Sequence, residues 1–247
     1  MANILIFDIE TAPHLAYVWS AWKNNIYKDQ WQSKGYIMSF AAKWLGSDEI
    51  IYEENRHNDD KQLVSKLFSL FDEADVVVAH NGDKFDIPYV TGRGIVHGFK
   101  PYSPFHSIDT LKVARKNMRV TNNTLENLCV ELGLPLKGGH KKFDGFKLWK
   151  ECLRQNDDAW DEMKEYNVQD IVSLEALYLR LRPYMRNHPN VSESCECPKC
   201  NSFDVQRRGY IKSKVGLTYQ RYYCKSCGGW HRSKTSIKEL ATENRNA

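Results

Sequence analysis

Asp8 and Glu10 stand two residues apart in the segment Phe7-Asp8-Ile9-Glu10-Thr11. On an extended strand that spacing sends both carboxylates to one face. The run Asn3–Ile9 (NILIFDI) is apolar and β-rich, so the pair ends a central strand expected to be buried on both faces. Two carboxylates there are costly without a positive partner, and hard oxygen ligands suit a divalent cation such as Mg²⁺ or Mn²⁺. More acids follow a short apolar strand, Asp75–Ala79, in His80-Asn81-Gly82-Asp83-Lys84-Phe85-Asp86. Asn81-Gly82 marks a tight turn, Phe85 is expected to pack inward and Asp86 to open the next helix. Taken alone, Asp83 or Asp86 reads more simply as a helix N-cap. The third element is Tyr166-Asn167-Val168-Gln169-Asp170 in the longest helical stretch, where i, i+4 spacing stacks Tyr166 and Asp170 on one face. Alone, such a pair is commonplace. Together the three segments offer a candidate set of divalent-cation ligands.

A second kind of metal chemistry is written in the cysteines. Cys197-Pro198-Lys199-Cys200 and Cys224-Lys225-Ser226-Cys227 are separated by 23 residues. Two C-x-x-C knuckles at this distance let four thiolates meet tetrahedrally on one Zn²⁺ at about 2.3 Å. A redox C-x-x-C would be single and set in a thioredoxin-like unit, and Cys195 fits the knuckle less well through its C-x-C spacing to Cys197. Asp204–Ile211 and Thr218–Tyr223 read as two strands joined through Lys214-Val215-Gly216, which makes this a zinc ribbon too small to fold well without its metal.

The ribbon region is also where the charge lies. Residues 191–247 carry 11 Lys+Arg against 5 Asp+Glu, a net of +6, whereas the rest of the chain has a net of −2. Arg207, Arg208, Lys212, Lys214, Arg221, Arg232 and Lys234 interleave with Tyr210, Tyr219, Tyr222 and Trp230. Basic groups for phosphates and aromatic faces for bases suit a nucleic-acid grip. A solubilising tail or a protein-docking module, for instance to a polymerase, are the competing readings.

Strands are expected at Asn3–Ile9, Tyr36–Leu45, Glu49–Glu53, Asp75–Ala79 and His106–Asp109, with the turn Gly46-Ser47-Asp48 between the second and third. Helices are expected at Asp59–Ala74, capped by Asp59 and Asp60, at Phe85–His97, interrupted by Gly92 and Gly94, and over most of the chain to Met185. The pattern predicts an α/β fold, a mixed sheet flanked by helices, with a small C-terminal zinc β-ribbon. The domain reading is a body over 1–187, a linker over 188–194 around Pro189, the ribbon over 195–236 and a polar tail over 237–247.

A hydrophobic fraction of 42% supports a packed core and excludes wholesale disorder. No apolar run approaches the roughly 18–20 residues of a membrane span. The start, MANILIFDIE, lacks a basic leader, and with an odd seven cysteines the expectation is a reducing, cytoplasmic compartment without membrane partners.

The order FDIET, then N-x-x-x-F-D, then Y-x-x-x-D closely resembles the DEDD (DnaQ-like) 3′–5′ exonuclease superfamily in its tyrosine branch, over roughly Asn3 to Tyr184. The resemblance implies a ribonuclease H-like fold. It implies Asp8, Glu10, Asp86 and Asp170 as ligands of two Mg²⁺ or Mn²⁺ ions, and Tyr166 as the residue that positions the attacking water. Asp8 would bridge both ions, Glu10 and Asp170 would support the one bearing the nucleophile, and Asp86 would sit near the second. Two ions about 3.5–4 Å apart answer the needs of phosphodiester hydrolysis, one lowering the pKa of water and the other steadying the departing 3′ oxygen. The sister branch has a histidine where this chain has Glu165. The whole chain, with its Trp19-Ser20-Ala21-Trp22 stretch and cysteine tail, is similar to stand-alone predicted exonucleases often encoded by bacteriophages, which places it in host cytoplasm. The ribbon resembles those of insertion-sequence transposases through QRYYCKSCG. These resemblances imply release of nucleoside 5′-monophosphates from the 3′ end of nucleic acid, DNA ahead of RNA, with a polymerase or other replication protein as a further partner. The alternatives are a nucleic-acid-binding or polymerase-recruiting protein with a vestigial centre, and an endonuclease on the same fold. His140, in a Gly-Gly loop beside Lys137, Lys141 and Lys142, is a rival base, although a solvated loop is the simpler reading. Trp19, Trp22 and Trp31 suit stacking on terminal bases, packing in a core or lid is at least as good a reading, and no site role is assigned to them.

Overall fold

The structure, a computed structural model, describes residues 3–20, 22–136, 142–186, 188–190 and 196–237. The body is built on a five-stranded mixed sheet. Its strands are joined in chain order with two minor ones: β1 (Ile4–Thr11), β2 (Leu15–Ala16), β3 (Trp31–Ser33), β4 (Ile37–Trp44) and β5 (Ile51–Glu54). Then come α1 (Lys61–Glu73), β6 (Val76–Ala79), α2 (Asp86–Val96), β7 (His106–Asp109), α3 (Thr110–Asn117), α4 (Leu125–Leu132), α5 (Lys147–Leu153) and α6 (Asp157–Leu181). The spatial order is β5-β4-β1-β6-β7. β4 runs antiparallel to β1, while β6 is parallel to both β1 and β7.

β1 is central, and its alternation divides the core. Leu5, Phe7 and Ile9 pack with Leu63, Val64, Leu67 and Phe71 of α1 on one face. Ile4 and Ile6 pack on the other face with Ile171, Leu174, Leu177, Tyr178 and Leu181 of α6 and Leu128 of α4. Burial of these side chains, each contributing about 1.5–3 kcal/mol, holds the layers together.

The second helix departs from expectation. It runs unbroken through Gly92 and Gly94, because the latter is a packing device: a Cβ there would lie 2.0 Å from the Phe68 ring of α1. Gly82 likewise lets the turn after β6 close over Ala79, 2.3 Å from where its Cβ would be. Phe85, expected inward, is 42% exposed, since the chain turns at this N-cap position and hands burial to Asp86.

At the start of α1 the capping is split. The Asp59 carboxylate accepts from the Lys61 N–H at 3.0 Å, whereas the expected Asp60 cap is absent. The fully buried Asp60 side chain instead accepts from Arg93 Nε and Nη2 of α2 (2.8 and 2.7 Å) and from the Ile37 N–H of β4 (2.9 Å), with His97 Nε2 2.6 Å away. Burial pushes this carboxyl up, but these hydrogen bonds outweigh burial and hold it below its ordinary range. The cluster ties α1, α2 and β4 into one unit and thereby fixes the helix that begins with Asp86. Asp60→Ala removes the buried acceptor of the partly buried Arg93 and is expected to lower stability by about 3 kcal/mol, read as a shifted urea midpoint with unchanged slope.

The C-terminal unit is a three-stranded antiparallel sheet in the order β10-β9-β8, made of β8 (Val205–Lys212), β9 (Thr218–Cys224) and β10 (Trp230–Arg232). β10 is additional to the two strands that the sequence pattern predicts for this unit. The unit docks on the end of α6: Arg182 Nη2 donates to the Pro198 carbonyl at 2.8 Å, and Lys199 Nζ to the Pro183 carbonyl at 2.7 Å. Among the described residues no helix is long and apolar enough to cross a membrane.

Candidate active site and cysteine cluster

The alternation that places Ile4 and Ile6 against α6 continues to Asp8 and Glu10, so both acids project toward that helix. β6 pairs with β1 only as far as Ile6 opposite Val78, while β4 follows β1 to its end, with Asp8 opposite Ala41 and Glu10 opposite Ser39. The β6 side of the acidic segment is thus left open. On α6 the inward stripe of Ile171, Leu174, Leu177 and Tyr178 extends one turn back to Asn167 and Asp170, both buried. One carboxylate oxygen from each of Asp8, Glu10 and Asp170 lies within 4.8 Å of the others. Three carboxylates in so small a volume repel one another, and their hard donors fit a divalent cation that offsets the repulsion.

Asp86 is outside that three-residue group but stands beside it. It opens α2, is 3% exposed, and accepts from its own and the Ile9 backbone N–H on the open side of β1. Burial, with the Asp109 charge adding to it, pushes the Asp86 carboxyl up to about 7 despite those bonds. Asp109 itself serves the scaffold: Oδ1 caps α3 through the Leu111 and Lys112 N–H groups and accepts from the Asn81 N–H at 3.0 Å. Asp83 is engaged by Ser107 and by Lys112 Nζ.

Tyr166, one turn before Asp170, is half-buried with its ring edge-on to Trp149 at 5.8 Å. Its neighbour Asn167 was not anticipated. Fully buried, it donates from Nδ2 to Asp8 Oδ2 at 3.1 Å and accepts from Ser39 Oγ at 3.3 Å. It bridges β4, β1 and α6 and fixes one oxygen of Asp8. The available signal was its place on the inward stripe, three residues before Asp170. His140, with Lys137 and Lys141, lies outside the described residues.

In the C-terminal unit the Sγ atoms of Cys197, Cys200, Cys224 and Cys227 lie within 4.8 Å of one another. Cys197 and Cys227 are 3.8 Å apart, and Cys200 and Cys224 3.5 Å. Sulfurs at about 2.3 Å from a tetrahedral centre sit about 3.8 Å from each other, so the donor set fits zinc. Cys195 lies outside the described residues. Arg207, Arg208, Lys212, Lys214, Arg221 and Arg232 are all exposed. Three of them lie over aromatic rings: Arg208 on Tyr223 (6.0 Å), Arg221 on Trp230 (4.8 Å) and Arg232 on Tyr219 (4.2 Å). Such stacking holds each guanidinium over a flat face.

A family model described as the RNase_H superfamily matches residues 5–182. The chain belongs to the RNase_H superfamily. This RNase_H superfamily member is similar to parts of much longer proteins. It is 27% identical over 154 residues to a DNA polymerase of Methanocaldococcus jannaschii, covering 51% of this chain and 9% of that protein. It is 27% identical over 167 residues to a DNA polymerase III PolC-type of Ureaplasma parvum, covering 61% and 11%. Its fold is similar to part of the family B DNA polymerase from Pyrobaculum calidifontis, with a TM-score of 0.58 and 16% identity over 74% of this chain and 25% of that one. The match therefore spans about a tenth of the length of the two sequence relatives.

Proposed function

We propose that the protein is a divalent-metal-dependent 3′–5′ exonuclease that hydrolyses phosphodiester bonds, DNA ahead of RNA, and releases nucleoside 5′-monophosphates. The observation that carries this reading is the convergence of Asp8, Glu10 and Asp170 within 4.8 Å on a chain of this superfamily. The similarity to proteins named DNA polymerases supports DNA as the substrate.

Asp8, Glu10 and Asp170, with Asp86 beside them, would hold two Mg²⁺ or Mn²⁺ ions. When bound, such ions neutralise phosphate charge, lower the pKa of water and steady the departing oxygen. Asn167 donates to Asp8 Oδ2 and so restrains the Asp8 carboxylate. Asp170 comes from α6 and Asp86 from the first residue of α2, so three elements bring carboxylates to the end of β1. The Tyr166 hydroxyl, ordinarily with a pKa of about 10, is a poor base and orients the attacking water by hydrogen bonding. The body over 1–187 carries this chemistry. The ribbon over 195–236, with its zinc on Cys197, Cys200, Cys224 and Cys227, adds affinity through Arg207, Arg208, Lys212, Lys214, Arg221 and Arg232 on phosphates.

Single strands labelled at either end, incubated with Mg²⁺ or Mn²⁺, test the reading. A 5′ label is expected in a descending ladder and a 3′ label in mononucleotide from the first time point. Internal cuts would replace the reading with an endonuclease, and intact strands with both ions would end it.

A further inference from the structure

Between the catalytic strand and β4 the chain makes an arm. Its root is tightly held. The Ala12 N–H donates to the Tyr36 carbonyl at 2.8 Å, the Gly35 N–H to His14 Nδ1 at 3.1 Å, and the His14 ring meets Trp31 edge-on at 5.0 Å. β2 and β3 then pair, Leu15 with Ser33 and Ala16 with Trp31, and the Tyr17 N–H donates to the Gln30 carbonyl at 2.9 Å. Beyond this root the aromatic groups turn to solvent. Trp19 is 100% exposed, Trp22 84%, Tyr17 69% and Tyr27 67%. Core packing therefore does not explain them, and large aromatic surface left in water marks a binding face.

We propose that this arm is a stacking platform for the unpaired bases of single-stranded nucleic acid on its way to the acid cluster. The proposal rests on the nuclease reading and names the substrate form that reading leaves open. Lys23, Lys28 and Lys34 alternate with the aromatic groups against a single acid, Asp29. That composition complements a polyanion whose bases offer flat faces, whereas lysine is depleted at protein–protein interfaces. The arm is also continuous with the catalytic strand: Glu10 to Leu15 is five residue steps, at most about 18 Å. A duplex hides its bases and offers the indoles nothing but its terminal pair, so the platform suits a single strand.

The test compares the full chain carrying Asp8→Asn, which spares the strand from degradation, with the same chain also carrying Trp19→Ala and Trp22→Ala. Anisotropy of a 5′-labelled oligothymidylate and of an abasic strand of equal length reads the affinity. The double substitution is expected to weaken oligothymidylate binding by about 5- to 150-fold for each stacked base lost, and to leave the abasic strand unchanged. Unchanged oligothymidylate binding, or an equal loss on both strands, overturns the platform. So does sedimentation showing a dimer that the double substitution converts to monomer, which assigns the face to a second copy. Selective loss on oligothymidylate in a chain whose native Asp8 form releases no mononucleotides sustains the platform and sinks the nuclease reading instead.

Discussion

Asp8→Asn is expected to slow mononucleotide release by roughly 10³-fold or more while strand affinity stays close to that of the parent chain. The size follows from charge. Asp8 shares a volume with Glu10 and Asp170 in which one oxygen of each lies within 4.8 Å of the others, and removing one formal charge from such a set weakens its hold on dications that supply several kcal/mol of transition-state stabilisation. The shape is kept. An amide oxygen at position 8 can still accept from Asn167 Nδ2, now 3.1 Å from the carboxylate, so β1 and α6 remain joined. Loss of one of three mutually repelling carboxylates also predicts a melting temperature equal to or above that of the parent in buffer free of Mg²⁺ and Mn²⁺. Three measurements thus separate catalysis from folding: rate falls, titrated Mg²⁺ or Mn²⁺ uptake falls with it, and thermal stability does not. A variant that retains more than about a tenth of the parental rate would remove Asp8 from the reaction.

Much of this site was legible because it obeys strand alternation. Asp8 and Glu10 sit on the same parity as Ile4 and Ile6, and a period of two sends all four to one face whatever the neighbouring helix. Asp170 was legible only in company, since an acid four residues after a tyrosine is common on any helix. Asn167 was not read at all. Its role depends on Ser39 and Asp8, which are 128 and 159 residues away, and no local pattern announces such a bridge. Asp60 misled for the opposite reason. Its position before α1 looks like a cap, but Arg93 of α2 and His97 just after that helix take its oxygens. Glycine was read as interruption in α2, whereas Gly94 is a contact with Phe68. The aromatic arm carried no decision in sequence, because an indole is equally at home in a core and on a base. Fractional exposure separates those uses, and it exists only once the chain is folded.

Loss of zinc is expected to unfold the ribbon and leave the body standing. The reason is visible in burial. Of β8, β9 and β10, Cys224 is the one fully buried residue, and every other position of these strands is half-buried or exposed. Such a unit has no apolar core to offset the conformational entropy of ordering it. Four thiolates at 3.5 and 3.8 Å in pairs supply the missing term, and binding of structural zinc is worth about 10–16 kcal/mol in small domains of this kind. The body differs, with separate buried clusters on both faces of its sheet. Elemental mass spectrometry is therefore expected to find one zinc per chain in the parent and none in Cys200→Ser. Trypsin should then cut at Arg207, Arg208 and Arg221 while the body persists as a resistant fragment. Its melting temperature should fall modestly, because the Arg182 and Lys199 contacts across the junction go with the ribbon. Catalysis on short strands should persist, since the acid cluster lies on β1 and α6, and the salt dependence of binding should flatten as the ribbon's basic groups lose their places. If instead the variant keeps its protease resistance between 196 and 237 without metal, the fold of the ribbon rests on something other than its cysteines.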